Sequence, residues 1–347
     1  MYHVAIAYAL ASAALFGAST PLAKLLIGEV APLALAGLLY LGSGIGLLAW
    51  FLLRKREKRA TNLSRGDLPW LAGAIAAGGI AGPALLMHGL THSDGSTASL
   101  LLNLESVFTA SIAWVVFREN VDRRVFLGMV AIVAGGVVLS WGELPRAGGI
   151  AGPLLIAGAC AAWAIDNNLT RRVSGGDAVT IAGLKGLVAG AVNLGLALFQ
   201  GATLPGAAIL ASAAAVGFFG YGISLVLFVV ALRNLGTART GAYFSVAPFF
   251  GAALALLVLR ESPSSAFWLA AGLMALGVWL HLTERHEHAH VHQPMEHTHP
   301  HVHDEHHQHA HAFAWDGREP HTHPHAHRRL AHSHPHYPDL HHRHDHG

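Results

Sequence analysis

The chain has 347 residues, of which 53% are hydrophobic and 12% charged, and its mean hydropathy is +0.43. This composition excludes an ordinary soluble domain and indicates a protein embedded in the lipid bilayer. The net charge of +2 says little about nucleic-acid binding, because the charges are segregated into loops and a tail. The single cysteine, Cys160, excludes an internal disulfide and a cysteine-based zinc site.

Ten apolar segments lie between Val4 and Leu282, each near the roughly 20 residues that cross a bilayer as a helix. In chain order they cover residues 4–27, 33–53, 68–90, 97–117, 125–141, 150–170, 178–199, 207–232, 240–259 and 266–282. The first lacks a basic leader and continues past Ser12, so it is interpreted as a spanning helix and not as a secretory signal.

The fourth and ninth segments resemble each other in sequence. Ala98 to Glu119 reads ASLLLNLESVFTASIAWVVFRE, and Thr240 to Glu261 reads TGAYFSVAPFFGAALALLVLRE. Because five helices per copy is an odd number, the second copy must enter the membrane in the opposite direction. The sequence therefore predicts an all-α integral membrane protein of ten transmembrane helices in two inverted five-helix repeats, residues 1–142 and 148–282. Inverted repeats are typical of secondary transporters.

Basic residues predict the orientation, because Lys and Arg in short loops stay on the cytoplasmic side. Thirteen of them lie in the loops after the even-numbered segments of the bundle, and only Arg146 and Arg260 lie in the opposite loops. The chain is therefore predicted to be a multi-pass protein of the plasma membrane, which is the inner membrane in bacteria, with both termini in the cytoplasm.

The five-plus-five layout, the first-segment motif LFGASTPLAK and the Arg-Glu ends of the fourth and ninth segments resemble the EamA-type transporters of the drug/metabolite transporter superfamily. The resemblance covers Val4 to Leu282 and implies transport of an amino acid, another metabolite or a drug. The chain departs from the family pattern in its first copy: Glu105 and Ser106 stand where the second copy has Ala247 and the expected proline, Pro248. No HExxH motif, phosphate-binding loop or intramembrane nucleophile with a base is present, so no enzyme activity is predicted.

Glu105 lies about 12 Å from the outer end of the fourth helix at 1.5 Å per residue, which is near the bilayer centre. A charge at this depth is costly and usually functional. It is interpreted as a proton-coupling or substrate-binding carboxylate facing a central cavity; the alternatives are a carboxylate permanently paired with a lysine or one held neutral in a helix contact. Lys185, at the same depth, is the predicted partner, and Asp166 is the other candidate.

Further polar side chains are predicted to contribute to the substrate site. Lys24 lies near the outer end of the first helix, where it also suits an interfacial anchor. Asn167 and Tyr243 are candidate hydrogen-bond partners of a solute. Four prolines are predicted to bend helices around a cavity. They are Pro21, Pro83, Pro153 and Pro248.

Two groups of residues suggest metal binding. His88 and His92 share a helical face with Asp94 beside them at the non-cytoplasmic mouth, a spacing that suits a divalent metal or ordinary helix-end residues. The C-terminal segment 283–347 contains all but four of the 27 histidines and is predicted to be a disordered cytoplasmic tail. Imidazole suits zinc, nickel, copper and cobalt. The predicted tail ligands include His286, His288, His290, His292, His297, His299, His301 and His303.

Three functions thus stay open, of which transport of a small polar or amphipathic solute, coupled to protons through Glu105, is the leading one. The second is a divalent-metal transporter for zinc, nickel or cobalt that uses His88, His92, Asp94 and the tail. The third is a membrane metal or pH sensor. The predicted partners are the lipid bilayer, the solute, divalent metal ions on the tail and, as an open alternative to a monomer, a second copy in a homodimer; no other cofactor and no nucleic acid is predicted.

Overall fold

The computed structural model describes ten stretches of the chain. They are residues 2–53, 64–117, 123–143, 149–173, 177–235, 237–283, 287–292, 295–301, 321–327 and 330–335. Internal contacts divide the chain into two compact units, Met1–Glu284 and Arg285–Gly347. The described residues of the first unit are helical, whereas those of the second form strands.

Fourteen α-helices are described in the first unit. They are α1 Tyr2–Leu26, α2 Pro32–Leu53, α3 Leu68–Ala74, α4 Gly82–His92, α5 Gly95–Leu101, α6 Leu104–Phe117, α7 Arg123–Glu143, α8 Ala151–Val173, α9 Ala178–Phe199, α10 Ala207–Gly217, α11 Ser224–Leu235, α12 Thr237–Phe244, α13 Ala247–Val258 and α14 Ser265–Leu282. A 3₁₀ turn, Arg65–Asp67, precedes α3. Two π-helical segments connect helices without a break: Ile75–Ala81 joins α3 to α4, and Phe218–Ile223 joins α10 to α11.

Eight stretches of these helices are long and apolar enough to cross a membrane. They are Val4–Leu26, Pro32–Leu53, Arg65–His92, Gly95–Val116, Arg123–Trp141, Ala178–Phe199, Ala207–Ala231 and Ser265–Leu282. Large apolar side chains cover their outer surface; Phe199, for example, is 91% exposed and Trp141 74%. Such a surface suits lipid and not water. The first unit therefore has the build of a multi-pass integral membrane protein.

The predicted sixth and ninth spans are helical, but they are not both long and apolar enough to be counted among these eight stretches. α8 covers the sixth span and carries Asp166, Arg171 and Arg172, which lower its hydropathy. The ninth span is interrupted between α12 and α13, and α13 has only 12 residues. In the described part of the chain, eight of the ten predicted spans are therefore long and apolar enough to cross a membrane.

The fourth and ninth predicted spans are broken at matching places, by different means. In the fourth span α5 ends at Leu101 and α6 begins at Leu104. Asn103 Nδ2 donates to the carbonyl oxygen of Leu100 at 3.0 Å, and Ser106 Oγ donates to that of Asn103 at 2.7 Å. Polar side chains that bond the local backbone compete with helix continuation in this way. In the ninth span the helix restarts with Pro248 in its first turn, where a missing N–H is tolerated.

Glycines make the tightest helix crossings. A Cβ on Gly44 or Gly186 would overlap the backbone of the opposite helix, so α2 and α9 touch at these residues. Gly37 lies against Leu194 and Gly44 against Leu187, which means that α2 and α9 run antiparallel.

The α7 and α14 helices cross in the same manner. Gly128 lies against His281 and Gly135 against Met274, so this pair of helices is antiparallel as well. Gly128 also meets Gly277, and each residue would direct a Cβ at the other's carbonyl oxygen. The absence of side chains at these positions sets the distance between the helix axes.

Replacing Gly186 with alanine is expected to destabilise the fold by about 1–3 kcal/mol, because the new methyl group forces α2 and α9 apart. Gly195→Ala is the matched control on the same helix, since nothing lies within 4 Å of its added Cβ. Thermal unfolding in one detergent compares the two variants. We expect a lower midpoint for Gly186→Ala and an unchanged or higher one for Gly195→Ala; equal midpoints would contradict the crossing.

In the described part of the tail, two antiparallel strand pairs stand where the composition predicts disorder. β1 Glu287–His292 pairs antiparallel with β4 Leu330–Pro335, and β2 Met295–His301 pairs antiparallel with β3 His321–His327. The His-x-His pattern alternates with the period of a β-strand, and strand pairing satisfies backbone groups without an apolar core. His286 and His303 lie outside the described residues.

Candidate functional site

The break in the fourth span places Glu105 in the first turn of α6. Its carboxylate Oε1 accepts a hydrogen bond of 2.7 Å from Asn167 Nδ2 on α8. Two features of the position favour a negative charge: the N-terminal end of the α6 dipole and the amide donor. Within the described part of the chain, Glu105 has no cationic partner.

Lys185 pairs with Asp166, so the predicted pairing of Lys185 with Glu105 is wrong. Lys185 Nζ on α9 donates to both carboxylate oxygens of Asp166 on α8, at 2.6 and 2.7 Å, and to Thr170 Oγ1 at 3.2 Å. The two side chains are 7% and 9% exposed. Neighbouring residues on a helix point about 100° apart. Asp166 therefore faces α9 while the next residue, Asn167, faces α6.

The first π-helical segment holds three neighbouring helices together through its carbonyl groups. The Gly78 carbonyl oxygen accepts from Tyr40 Oη on α2 at 2.8 Å and from Trp163 Nε1 on α8 at 2.9 Å. The Gly79 carbonyl oxygen accepts from Asn193 Nδ2 on α9 at 3.1 Å. A π-helical turn changes the usual i to i−4 bonding, and such turns are frequent at functional sites. Gly78 must be glycine here, because a Cβ would overlap the Asp166 carboxylate.

An aromatic cluster centred on Phe16 of α1 includes Trp163 of α8, the helix that carries Asn167. Phe16 packs edge-on against Trp163 and Tyr221, with ring centroids 5.9 Å apart in both cases, and lies 5.4 Å from the ring of Phe244. Trp163 precedes Asn167 by one helical turn on α8, so the two share a face. The cluster brings α1, α8, the second π-helical segment and α12 together.

Other predicted solute-binding residues make contacts elsewhere in the bundle. Lys24 donates to the carbonyl oxygens of Leu90 and Ser93, the latter at 2.8 Å, at the C-terminal end of α4. This contact joins α1 to α4. Tyr243 packs against a small cluster formed by Ala5, Ala9 and Ala231. It is partly exposed.

The four prolines are buried and differ in what surrounds them. Pro21 lies inside α1, and Pro153 lies in the first turn of α8. Pro83 lies in the first turn of α4, which follows the first π-helical segment, and Pro248 lies in the first turn of α13, after the break. Pro83 and Pro248 therefore lie next to irregular backbone, the π-helical segment and the break in the ninth span.

The predicted metal site at the mouth is not assembled. The His88 ring bonds through Nδ1 to the Ala84 carbonyl oxygen of its own helix at 2.7 Å, and both His88 and His92 are exposed. Across the residues that the structure describes, no group of three His, Cys, Asp or Glu side chains can hold a metal ion. Spacing along α4 alone does not bring Asp94 into a shared coordination sphere with the two imidazoles.

The sequence-based expectations do not include the Gly78 carbonyl cluster or the contacts of Glu261. The carboxylate oxygens of Glu261 accept from the backbone N–H groups of Gly95 and Ser96 at 2.7 and 2.8 Å. The adjacent glycines at 78 and 79 are a signal for irregular backbone, and the Arg-Glu end of the ninth span marks Glu261. Neither signal identifies which residues bond to the Gly78 carbonyl or to Glu261, because these lie on distant parts of the chain.

Comparisons with known proteins agree with this architecture. The EamA-like transporter family matches the chain twice, over residues 3–141 and 150–283. A relative from Methanothermobacter thermautotrophicus, described as an uncharacterized transporter, is 30% identical over 284 residues, which are 76% of this chain and 82% of the relative. A crystal structure at 20% identity shares the fold, with a TM-score of 0.60 over 82% of this chain and 98% of that one. The chain therefore belongs to the EamA-like transporter family, which confirms the resemblance seen in its sequence.

Proposed function

We propose that the chain is a secondary transporter of a small polar or amphipathic metabolite, with Glu105 as its central carboxylate. The observation that carries this proposal is the position of Glu105: it follows a break in a membrane span, at a helix N-terminus, bonded to Asn167 and without a cation among the described residues. Discontinuous helices supply substrate and coupling-ion sites in many secondary transporters, because helix ends and free backbone groups converge there.

The proposed architecture is ten spans in two inverted repeats, residues 1–142 and 148–282. Equivalent irregularities support it: the fourth and ninth spans are broken at matching positions, and the π-helical segments lie in the third and eighth spans. The antiparallel crossings support it as well, because each joins a helix of the first copy to its equivalent in the second. α2 crosses α9, and α7 crosses α14. Gly44 and Gly186, which contact each other, occupy equivalent positions of the two copies, as expected for a pseudo-two-fold axis that passes between them.

The proposed driving force is the proton gradient. A carboxylate without a counter-ion in a membrane interior is stabilised by taking up a proton or a positively charged group of the solute. Asp166 is less suited to this exchange because Lys185 already neutralises it. We place the transporter in the plasma membrane with both termini in the cytoplasm, on the strength of the basic loops. A homodimer stays a prediction.

Purified protein in liposomes tests the proposal. Amino acids and other small metabolites are offered with and without an imposed pH gradient, and uptake is compared with protein-free vesicles. We expect uptake of at least one solute that rises with the gradient. A membrane sensor would give no flux with any solute, and that outcome would overturn transport.

We propose separately that the tail binds divalent metal ions without being part of the transport site. The strand register supports this, because it places His288 opposite His334 and His290 opposite His332 as Cα partners. In the second pair of strands, His297 lies opposite His325. Opposed positions of antiparallel strands have Cβ atoms about 5 Å apart, and imidazole suits zinc and nickel.

Titration of full-length protein with nickel or zinc is expected to show binding that is lost when the tail histidines are replaced with asparagine. The replacement keeps the length and polarity of the segment while removing the preferred ligand atoms. Isothermal calorimetry measures the stoichiometry. Equal binding by the two proteins would contradict a metal-binding tail.

A further inference from the structure

We propose that Glu261 is a latch that holds one end of the transporter closed and must open when the solute enters or leaves on that side. The end in question is the one that the basic loops predict to be non-cytoplasmic. The latch rests on the proposed transport function, but it is independent of the chemistry assigned to Glu105.

The latch consists of two hydrogen bonds between the halves of the chain. Glu261 follows α13, and its Oε1 and Oε2 accept from the backbone N–H groups of Gly95 and Ser96 at 2.7 and 2.8 Å. These N–H groups begin α5 and have no acceptor within the helix. The carboxylate also lies at the positive end of the α5 dipole, which strengthens the contact. Glu261 thereby ties the ninth span to the fourth.

The backbone around the latch is shaped to make this contact. Arg260 has φ of 52°, and among the described residues it alone adopts positive φ without being glycine. An L-residue in this region is sterically strained, and such strain is concentrated at switch regions. The turn at Arg260 directs Glu261 back toward α5. A Cβ at Gly95 would lie 3.2 Å from Glu261 Oε1 and 2.7 Å from Leu259 Cδ1, so glycine leaves room for the carboxylate.

Further contacts close the same end of the bundle. Lys24 at the end of α1 donates to the Leu90 and Ser93 carbonyl oxygens at the end of α4. Gly152 at the start of α8 lies against Ser93 closely enough to exclude a Cβ. All residues of α5, Gly95–Leu101, are buried at this end.

The equivalent helix of the other half is more open at the residues whose burial the structure describes. α12 occupies the place in the second copy that α5 occupies in the first; there Thr240 is buried, Gly241 is exposed, and Tyr243 and Phe244 are partly exposed. Two repeats that exchange conformations to give alternating access would have to release α5 as α12 becomes buried. Because α5 leads through Asn103 to Glu105, breaking the Glu261 contacts would open a route from this end to the central carboxylate.

Thiol labelling tests the latch without any knowledge of the solute. The reporter is Ser99→Cys in a Cys160→Ala background: Ser99 is 1% exposed and lies against Gly251 of α13. A membrane-impermeant maleimide is added to the predicted non-cytoplasmic side of the reconstituted full-length protein. We expect Glu261→Gln to increase the labelling rate about tenfold, since the lost charge-assisted bonds contribute at least this factor to an equilibrium.

Glu29→Gln is the matched control, because Glu29 is an exposed carboxylate in the α1–α2 loop at the same end. It should leave the labelling rate unchanged. A rate for Glu261→Gln within twofold of the parent would overturn the latch.

Gly95→Ala provides a second variant should Glu261→Gln unfold: it keeps every charge but crowds the carboxylate, and it is expected to speed labelling as well. An unchanged rate in Gly95→Ala would then overturn the proposal. Because labelling does not depend on flux, failure of the Glu105 assignment would not alter either result.

Discussion

Replacing Glu105 with glutamine is expected to reduce gradient-driven uptake to the level of protein-free vesicles while leaving the helices assembled. Glutamine has nearly the same volume, and its carbonyl oxygen can still accept the bond from Asn167 Nδ2. It cannot carry a negative charge or release a proton, so only the proposed chemistry is removed. The initial rate of uptake in liposomes measures the effect, and thermal unfolding checks the fold.

A second assay separates proton coupling from solute binding by Glu105. Exchange of labelled for unlabelled solute needs no net proton movement, so Glu105→Gln should retain exchange if the carboxylate carries protons only. Exchange is lost as well if the carboxylate holds the solute. Glu29→Gln serves as the control for a carboxylate outside the bundle. Unchanged gradient-driven uptake in Glu105→Gln would remove Glu105 from the mechanism.

Replacing Asp166 with asparagine is expected to destabilise the protein by about 3–5 kcal/mol. The substitution leaves the Lys185 ammonium buried beside α8 without its counter-charge. A lower midpoint of thermal unfolding in detergent measures the loss. Asp177→Ala offers a graded comparison, because Asp177 caps α9 through Thr180 and a lost N-cap costs only about 1 kcal/mol.

The double variant Asp166→Asn with Lys185→Met should recover part of this loss. Replacing both members of a buried ion pair with apolar or neutral groups is often nearly neutral, whereas removing one is costly. The midpoints of the parent, the two single variants and the double variant together give the coupling energy of the pair. Equal midpoints for Asp166→Asn and the parent would show that the pair contributes little.

Sequence patterns predicted those features that depend on position along the chain. The length of an apolar run determines whether a helix can span a bilayer, so the spans were visible without a structure. The repeated segment and the composition likewise predicted the family. The depth of Glu105 in the bilayer stays a prediction, made by counting residues at a fixed rise per residue. Pro248 gave a visible signal for the break in the ninth span.

The break in the fourth span had no such signal, because it depends on bonds that Asn103 and Ser106 make to the backbone. The tail likewise has structure that its sequence pattern does not predict. Its composition predicts disorder, yet the His-x-His alternation is compatible with strand pairing between segments far apart in the chain.

Tertiary structure alone decided which charged groups meet. Glu105 and Lys185 lie at similar depths by residue count, but depth does not determine which way a side chain points around its helix axis. Helix rotation and the glycine crossings place Asp166 against Lys185 and Asn167 against Glu105. The same holds for Glu261, whose partners Gly95 and Ser96 lie in the other half of the chain. The sequence by itself thus determined the apolar spans and the family, and it predicted the repeat and the depth of Glu105. The packing of helices, which depends on contacts between distant residues, decided the partner of each charge.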